Sequence, residues 1–184
     1  MPLKPSQIRS TFGDFKWHDD PARKGAITIP GDWILHNLAR IAPPLPIPAP
    51  SGRLIREITC HHLIADQLTS ALAYIRDHHL GDHIHTWDGC WVPRHMNWNP
   101  SKPLSSHSWG IAFDINAAQF PFGLRRQQEP SLVNALAKFG FEWGGNWRVP
   151  DSMHFEAIVI LSVAKSVSRR TAAQPNLPKG ASPK

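Results

Sequence analysis

The chain has 184 residues, with 18 Pro, 12 Gly, two Cys and a formal charge of +6 at pH 7. Its 41% hydrophobic and 18% charged content allows one packed core, and two cysteines exclude a disulfide framework. No stretch approaches the roughly 20 apolar residues of a membrane-spanning helix.

Residues 1–30 hold no apolar run, so synthesis in the cytoplasm without a secretory signal is expected. The charge balance (pI about 9.7) implies weak steering towards anionic surfaces. Apart from Arg125-Arg126 and Arg169-Arg170 the positive charge is scattered. No Arg/Lys-rich recognition helix is present, so no specific nucleic-acid partner is expected. Cys60 and Cys90 read as reduced, partly buried thiols; their spacing does not decide whether they pair.

Residues 1–50 read as an N-terminal extension. Phe12, Phe15 and Trp17 are able to pack an arm onto a domain, and His18-Asp19-Asp20, beside Pro21 and Arg23, reads as a solvated turn. Ile27–Pro30 reads as a short edge strand, followed by a helix over Trp33–Arg40 capped by Asp32. The proline-rich run 42–50 is either a stiff hinge or a loop laid along the surface.

The main domain is expected over 51–161. Leu54–Thr59 reads as a strand. Leu63, Ile64, Leu68, Leu72 and Ile75 recur at helical spacing, with Gly81 ending that helix. Asp82–Trp87 alternates like a strand, and Asp88-Gly89 is a hairpin signal leading to a returning strand over Cys90–Arg94. After a loop at 117–129, Pro130-Ser131 opens a helix that Gly140 closes. Strands at Phe141–Trp143 and Met153–Ile160 flank a turn carrying Gly144, Gly145 and Trp147. Residues 162–184 form a basic tail, with disorder expected from Thr171.

The chemistry is concentrated in Ser105–Asn116. Ile111, Phe113 and Ile115 alternate with Gly110, Ala112, Asp114 and Asn116, which predicts a strand. Gly110 and Ala112 should leave the face beside Asp114 open. His107, just ahead of the strand, and Asp114 on it are placed to converge on one ion. Imidazole with carboxylate suits Zn²⁺, which takes at least three protein ligands. His154 is the one later His in the chain and so the expected third ligand. Asp151, three residues before it, fits a carboxylate that handles a water proton without binding metal.

Ser105-x-His107-x-x-Gly110-x-Ala112-x-Asp114, Trp143-Gly144-Gly145-x-Trp147, then Asp151-x-x-His154-Phe155-Glu156, with Arg94 upstream, resembles the M15 family of zinc peptidases. That family holds VanY- and VanX-like enzymes and the L-alanyl-D-glutamate endopeptidases of phage lysins. The resemblance runs from about Leu63 to Ile158. It implies an α+β fold of the hedgehog/D-Ala-D-Ala peptidase-like type, a small central, mostly antiparallel sheet with flanking helices. It implies Zn²⁺ held by His107, Asp114 and His154, Asp151 as general base and Arg94 as oxyanion donor. Ser105, Trp143 and Trp147 would meet substrate, Ser105 alternatively orienting His107.

The implied substrate is a peptidoglycan stem peptide, cut next to a D-amino acid after phage or prophage lysis has given access to the wall; the sequence does not fix the oligomeric state, and a monomer is the favoured reading. L-Alanyl-D-glutamate endopeptidase is the first reading and D-alanyl-D-alanine carboxypeptidase the second. A non-catalytic, zinc-containing wall-binding module is the alternative from another class.

Overall fold

The computed structural model describes residues 2–162, so all but the first residue of the expected tail lies outside the described residues. Helix α1 (Pro5–Phe12) opens with proline in its first turn, where a missing N–H leaves no bond unmade, and buries Ile8 and Phe12. Strands β1 (His18–Asp19) and β2 (Ile27–Thr28) pair antiparallel. Helix α2 (Trp33–Asn37) stops short of the expected Arg40, because Leu38 begins strand β3 (Leu38–Ile41). β3 pairs antiparallel with β4 (Ile58–His61), and that pairing also moves the strand expected from Leu54 four residues later. Asp32 makes no side-chain cap.

Helix α3 (His62–Asp77) follows at once. The His61 ring caps it: Nδ1 accepts from the Leu63 N–H at 3.2 Å while Nε2 meets the Phe12 carbonyl at 3.1 Å. His61 is fully buried, and burial pushes its pKa down to about 4. The Phe12 bond resists that shift and the neighbouring His62 charge adds to it.

Next come β5 (Trp87–Gly89), β6 (Ala112–Ile115), helix α4 (Pro130–Lys138), β7 (Phe141–Trp143) and β8 (His154–Ala157). These strands form one antiparallel sheet in the order β5-β6-β8-β7. The protein therefore has the α+β class with a small antiparallel sheet. Asp82–Trp87 is not a strand; Gly81–His83 makes a single 3₁₀ turn and pairing begins at Trp87. Asp88-Gly89 makes no hairpin either, since Gly89 pairs with Asp114 of β6. Both free cysteines are buried.

One sheet face is apolar: Phe113 stacks on Trp87 at 5.0 Å and on Phe155 at 5.6 Å. It shares a core with Ile64, Leu68 and Leu72 of α3 and Leu132 of α4. Each fully buried side chain of this size contributes about 1.5–3 kcal/mol. Ile8, Phe12, Leu45 and Ile47, from the first 50 residues, belong to the same core.

The period-two alternation sends Asp114, His154 and Glu156 to the opposite face. Register sets Asp114 directly across from His154, and Ala112 across from Glu156. That face is not open at its start, as the sequence suggested. Gly110 has φ 68° and lies against the β4–α3 junction, where a Cβ would stand 3.0 Å from the His61 nitrogen. Ala112 is fully buried.

Candidate metal centre and its cleft

His107 sits in a 3₁₀ turn, Ser106–Trp109, that delivers it to the edge of β6. Its Nδ1 meets the Cys90 carbonyl at 2.8 Å. A carbonyl only accepts, so Nδ1 carries the proton and Nε2 presents a lone pair. His154 has the mirror arrangement: Nε2 faces Glu156 Oε2 at 3.3 Å, which turns Nδ1 inward.

The two inward nitrogens stand 3.2 Å apart. Asp114 closes the triangle, its Oδ2 3.2 Å from His107 Nε2 and its Oδ1 3.0 Å from His154 Nδ1. The His107, Asp114 and His154 donor atoms all lie within 4.8 Å of one another.

Three lone-pair donors at this spacing repel one another unless a cation sits among them. Zinc bonds of roughly 2.0–2.2 Å in a tetrahedron separate ligand atoms by about 3.3–3.6 Å. The observed edges of 3.0–3.2 Å fit such an ion after slight expansion. With a proton as the only cation, the site responds as electrostatics requires. Burial disfavours charge on His154, but its bonds to Asp114 and Glu156 and their charges prevail, and its pKa rises to about 10. Burial likewise disfavours the Asp114 carboxylate, yet the charges and hydrogen bonds of His107 and His154 hold it well below the usual range. The donor set thus fits Zn²⁺.

The centre opens into a cleft of about 1060 Å³. Leu3, Phe15 and Trp17 of the N-terminal stretch line it together with Trp98, Trp147 and Met153. Asp151 and Arg94 both reach it. Asp151 is fixed by its backbone: its N–H donates to the Gly144 carbonyl at 3.0 Å and its carbonyl accepts from the His154 N–H at 3.1 Å. Gly144 is required there, because a Cβ would stand 2.7 Å from the Asp151 carbonyl oxygen. Oδ1 of Asp151 is buried and has no hydrogen-bond partner among the described residues. Burial raises its pKa, and the Asp114 charge adds to the rise against His154, His107 and Arg94.

Arg94 places Nη2 3.8 Å from Asp114 Oδ2, beyond hydrogen-bond reach. Its guanidinium is only 15% exposed, and no described residue accepts a hydrogen bond from it. It is therefore a cation beside the metal group with donors to spare.

Ser105 is buried at the cleft and donates its N–H to the Arg94 carbonyl at 3.0 Å. Trp147 lies 5.3 Å from the His154 ring, at the cleft. Trp143 is different: it was expected to meet substrate, and it lies in the core. Its Nε1–H donates to the Ser152 carbonyl at 2.8 Å and its ring runs beneath Gly145, where any Cβ would stand 2.1 Å from it. Of the glycine pair, Gly145 makes room for the Trp143 ring and Gly144 for the Asp151 backbone.

Three contributors escaped the sequence reading. Ser108 Oγ accepts the Arg94 N–H and donates to the Arg94 carbonyl, both at 3.0 Å; its place in the 105–116 stretch was the available signal. The Cys90 carbonyl, being backbone, gave none. Asn116, at φ 58°, ends β6 and accepts from the N–H groups of His85 and Thr86 at 2.7 and 3.1 Å. That holds the loop before β5 against the end of β6.

Residues 99–157 match the model of a family of M15 peptidases described as D-alanyl-D-alanine carboxypeptidase. No curated protein and no solved structure matches the chain. The matched stretch contains His107, Asp114, Asp151, His154 and Glu156, while Arg94 precedes it. The segment that builds the site is thus similar to the M15 peptidase family, and the His-Asp-His group falls inside the matched stretch.

Proposed function

We propose that the protein is a zinc-dependent peptidoglycan peptidase that hydrolyses a stem-peptide bond next to a D-amino acid, first of all the L-alanyl-D-glutamate bond. The observation that carries this is the convergence of three metal-type donors with one unpartnered buried carboxylate oxygen and one unfilled guanidinium. A closed structural metal site would need neither Asp151 nor Arg94 in that state, which separates this reading from a wall-binding module.

His107, Asp114 and His154 would hold the ion, and Zn²⁺ in such a site supplies Lewis-acid chemistry, acidifying water and polarising a carbonyl. Asp151 takes the proton of the attacking water as its oxygen bonds to the scissile carbon. It then gives that proton to the amine as the C–N bond breaks. Burial, by raising the Asp151 pKa, makes its carboxylate a better base. Arg94 holds the carbonyl oxygen that gains negative charge, a role whose loss costs roughly 10²–10³ in rate. Cys90 and Glu156 keep both imidazoles in the liganding tautomer.

The cleft, at the upper end of the roughly 300–1,000 Å³ typical of ligand pockets, is large enough for a short peptide at either bond. A D-alanyl-D-alanine carboxypeptidase is the second reading, favoured by the description of the matched family. No helix among the described residues is long and apolar enough to cross a membrane, and release to the wall by lysis completes the proposal.

Digestion of purified wall distinguishes the two bonds. Endopeptidase action exposes new D-glutamyl amino termini, and carboxypeptidase action releases free D-alanine. Asp151→Ala should keep the metal and lose hydrolysis. Undiminished hydrolysis in that variant, or in the presence of chelator, would overturn the mechanism.

A further inference from the structure

We infer that the N-terminal segment from Trp17 to Ile27 is the clamp that holds Arg94 in place, with Asp19 as its positioning residue. This rests on the reading of Arg94 as the oxyanion donor.

Arg94 is held by no named strand. A single bridge pairs it with Ala26. On either side, the Ile27 N–H donates to the Pro93 carbonyl at 3.1 Å and the His95 N–H to the Gly25 carbonyl at 2.8 Å. The next residue is the bolt. His95 is buried, with Nε2 2.8 Å from Asp19 Oδ1 and Nδ1 2.6 Å from the Lys102 carbonyl. Its ring therefore ties the N-terminal segment to the loop that leads into the metal stretch, and the edge of Trp17 packs on it at 5.1 Å.

Beyond His95, Asn97 and Trp98 both adopt left-handed backbone, with φ 54° and 56°. Side-chain-bearing residues keep that conformation only when their surroundings enforce it. Gly25 does so: its backbone lies so close that a Cβ would stand 2.2 Å from the Trp98 carbonyl oxygen. Held this way, the Trp98 ring covers the Arg94 guanidinium at 5.4 Å. The contact chain runs from Asp19 and Gly25 through His95 and Trp98 to Arg94, and every member lies ahead of the stretch that matches the peptidase family.

Ordinary packing makes a different prediction. The Asp19 side chain is 57% exposed, and ion pairs with an exposed partner contribute little to stability. A merely structural Asp19 would be replaceable without effect on catalysis.

The test uses the full, zinc-loaded chain and a soluble stem pentapeptide containing both candidate bonds. Asp19→Ala should lower kcat by roughly ten- to hundredfold with KM and zinc content unchanged, the size of effect that misplacing a catalytic group produces. Asp19→Asn, which keeps an acceptor for His95, should restore the rate. Amide exchange at His95 should quicken in Asp19→Ala and not in Asp19→Asn. In an Arg94→Ala background, Asp19→Ala should cost nothing further. Gly25→Ala, which displaces Trp98, should show the same non-additivity.

An unchanged kcat in Asp19→Ala, or losses that multiply with Arg94→Ala, would overturn the clamp while leaving the Arg94 role standing. Full activity in Arg94→Ala would instead remove the oxyanion reading itself, and the clamp with it.

Discussion

Replacing Glu156 should lower both metal affinity and metal-free stability. Glu156 is 5% exposed and uses Oε2 to hold His154 Nε2–H at 3.3 Å, while its Oε1 has no partner among the described residues. Glu156→Leu removes the acceptor that keeps His154 Nδ1 facing the ion. Loss of such an outer partner typically costs 10- to 100-fold in metal affinity, about 1.4–2.7 kcal/mol. Without metal the same change takes a carboxylate from the buried His154 imidazolium, and removing one partner of a buried pair is destabilising, so metal-free stability should fall as well. Glu156→Gln keeps a carbonyl acceptor and should fall between. Zinc affinity by chelator competition and urea unfolding of the metal-free protein read the two effects separately. Wild-type zinc affinity in Glu156→Leu would refute the tautomer argument.

Acidification should cost stability through His61. Its folded pKa of about 4 lies below the ordinary 6.5, so the unfolded chain binds the extra proton first. Stability is full above about pH 6.5 and falls to about pH 4, by roughly 3 kcal/mol. Urea unfolding at pH 7 and pH 4 should show that loss shrinking in His61→Asn, and an equal loss in both proteins would contradict it. The two tryptophans should separate cleanly. Trp143→Phe forfeits the bond to the Ser152 carbonyl and should lower stability by about 1 kcal/mol or more with KM intact. Trp147→Ala should raise KM on a stem peptide, and an unchanged KM would take Trp147 out of the substrate contacts.

The donor trio was legible because its signals are local. Period-two alternation fixes which residues share a face within each strand, and the register that sets Asp114 opposite His154 puts both on one face. What the sequence did not show depends on pairings made across the chain. Asp88-Gly89 has the composition of a tight turn, yet β6 captures Gly89 by pairing it with Asp114, and a bulge between Trp87 and Gly89 absorbs the mismatch. Trp143 looked like a cleft aromatic because its neighbours are glycines. The ring under Gly145 and the Asp151 backbone against Gly144 explain that pair through packing. The wall around Arg94 was invisible for a third reason: its hydrogen bonds run backbone to backbone from Gly25 and Ile27, and such bonds leave no mark on side-chain pattern.

Metal stoichiometry of the purified full-length protein tests the central claim most directly. Atomic emission should find one zinc ion per chain in the wild type, and almost none in His107→Ala at the same zinc concentration. Equal zinc in both proteins, or none in either after zinc loading, would contradict a centre built from residues 107, 114 and 154.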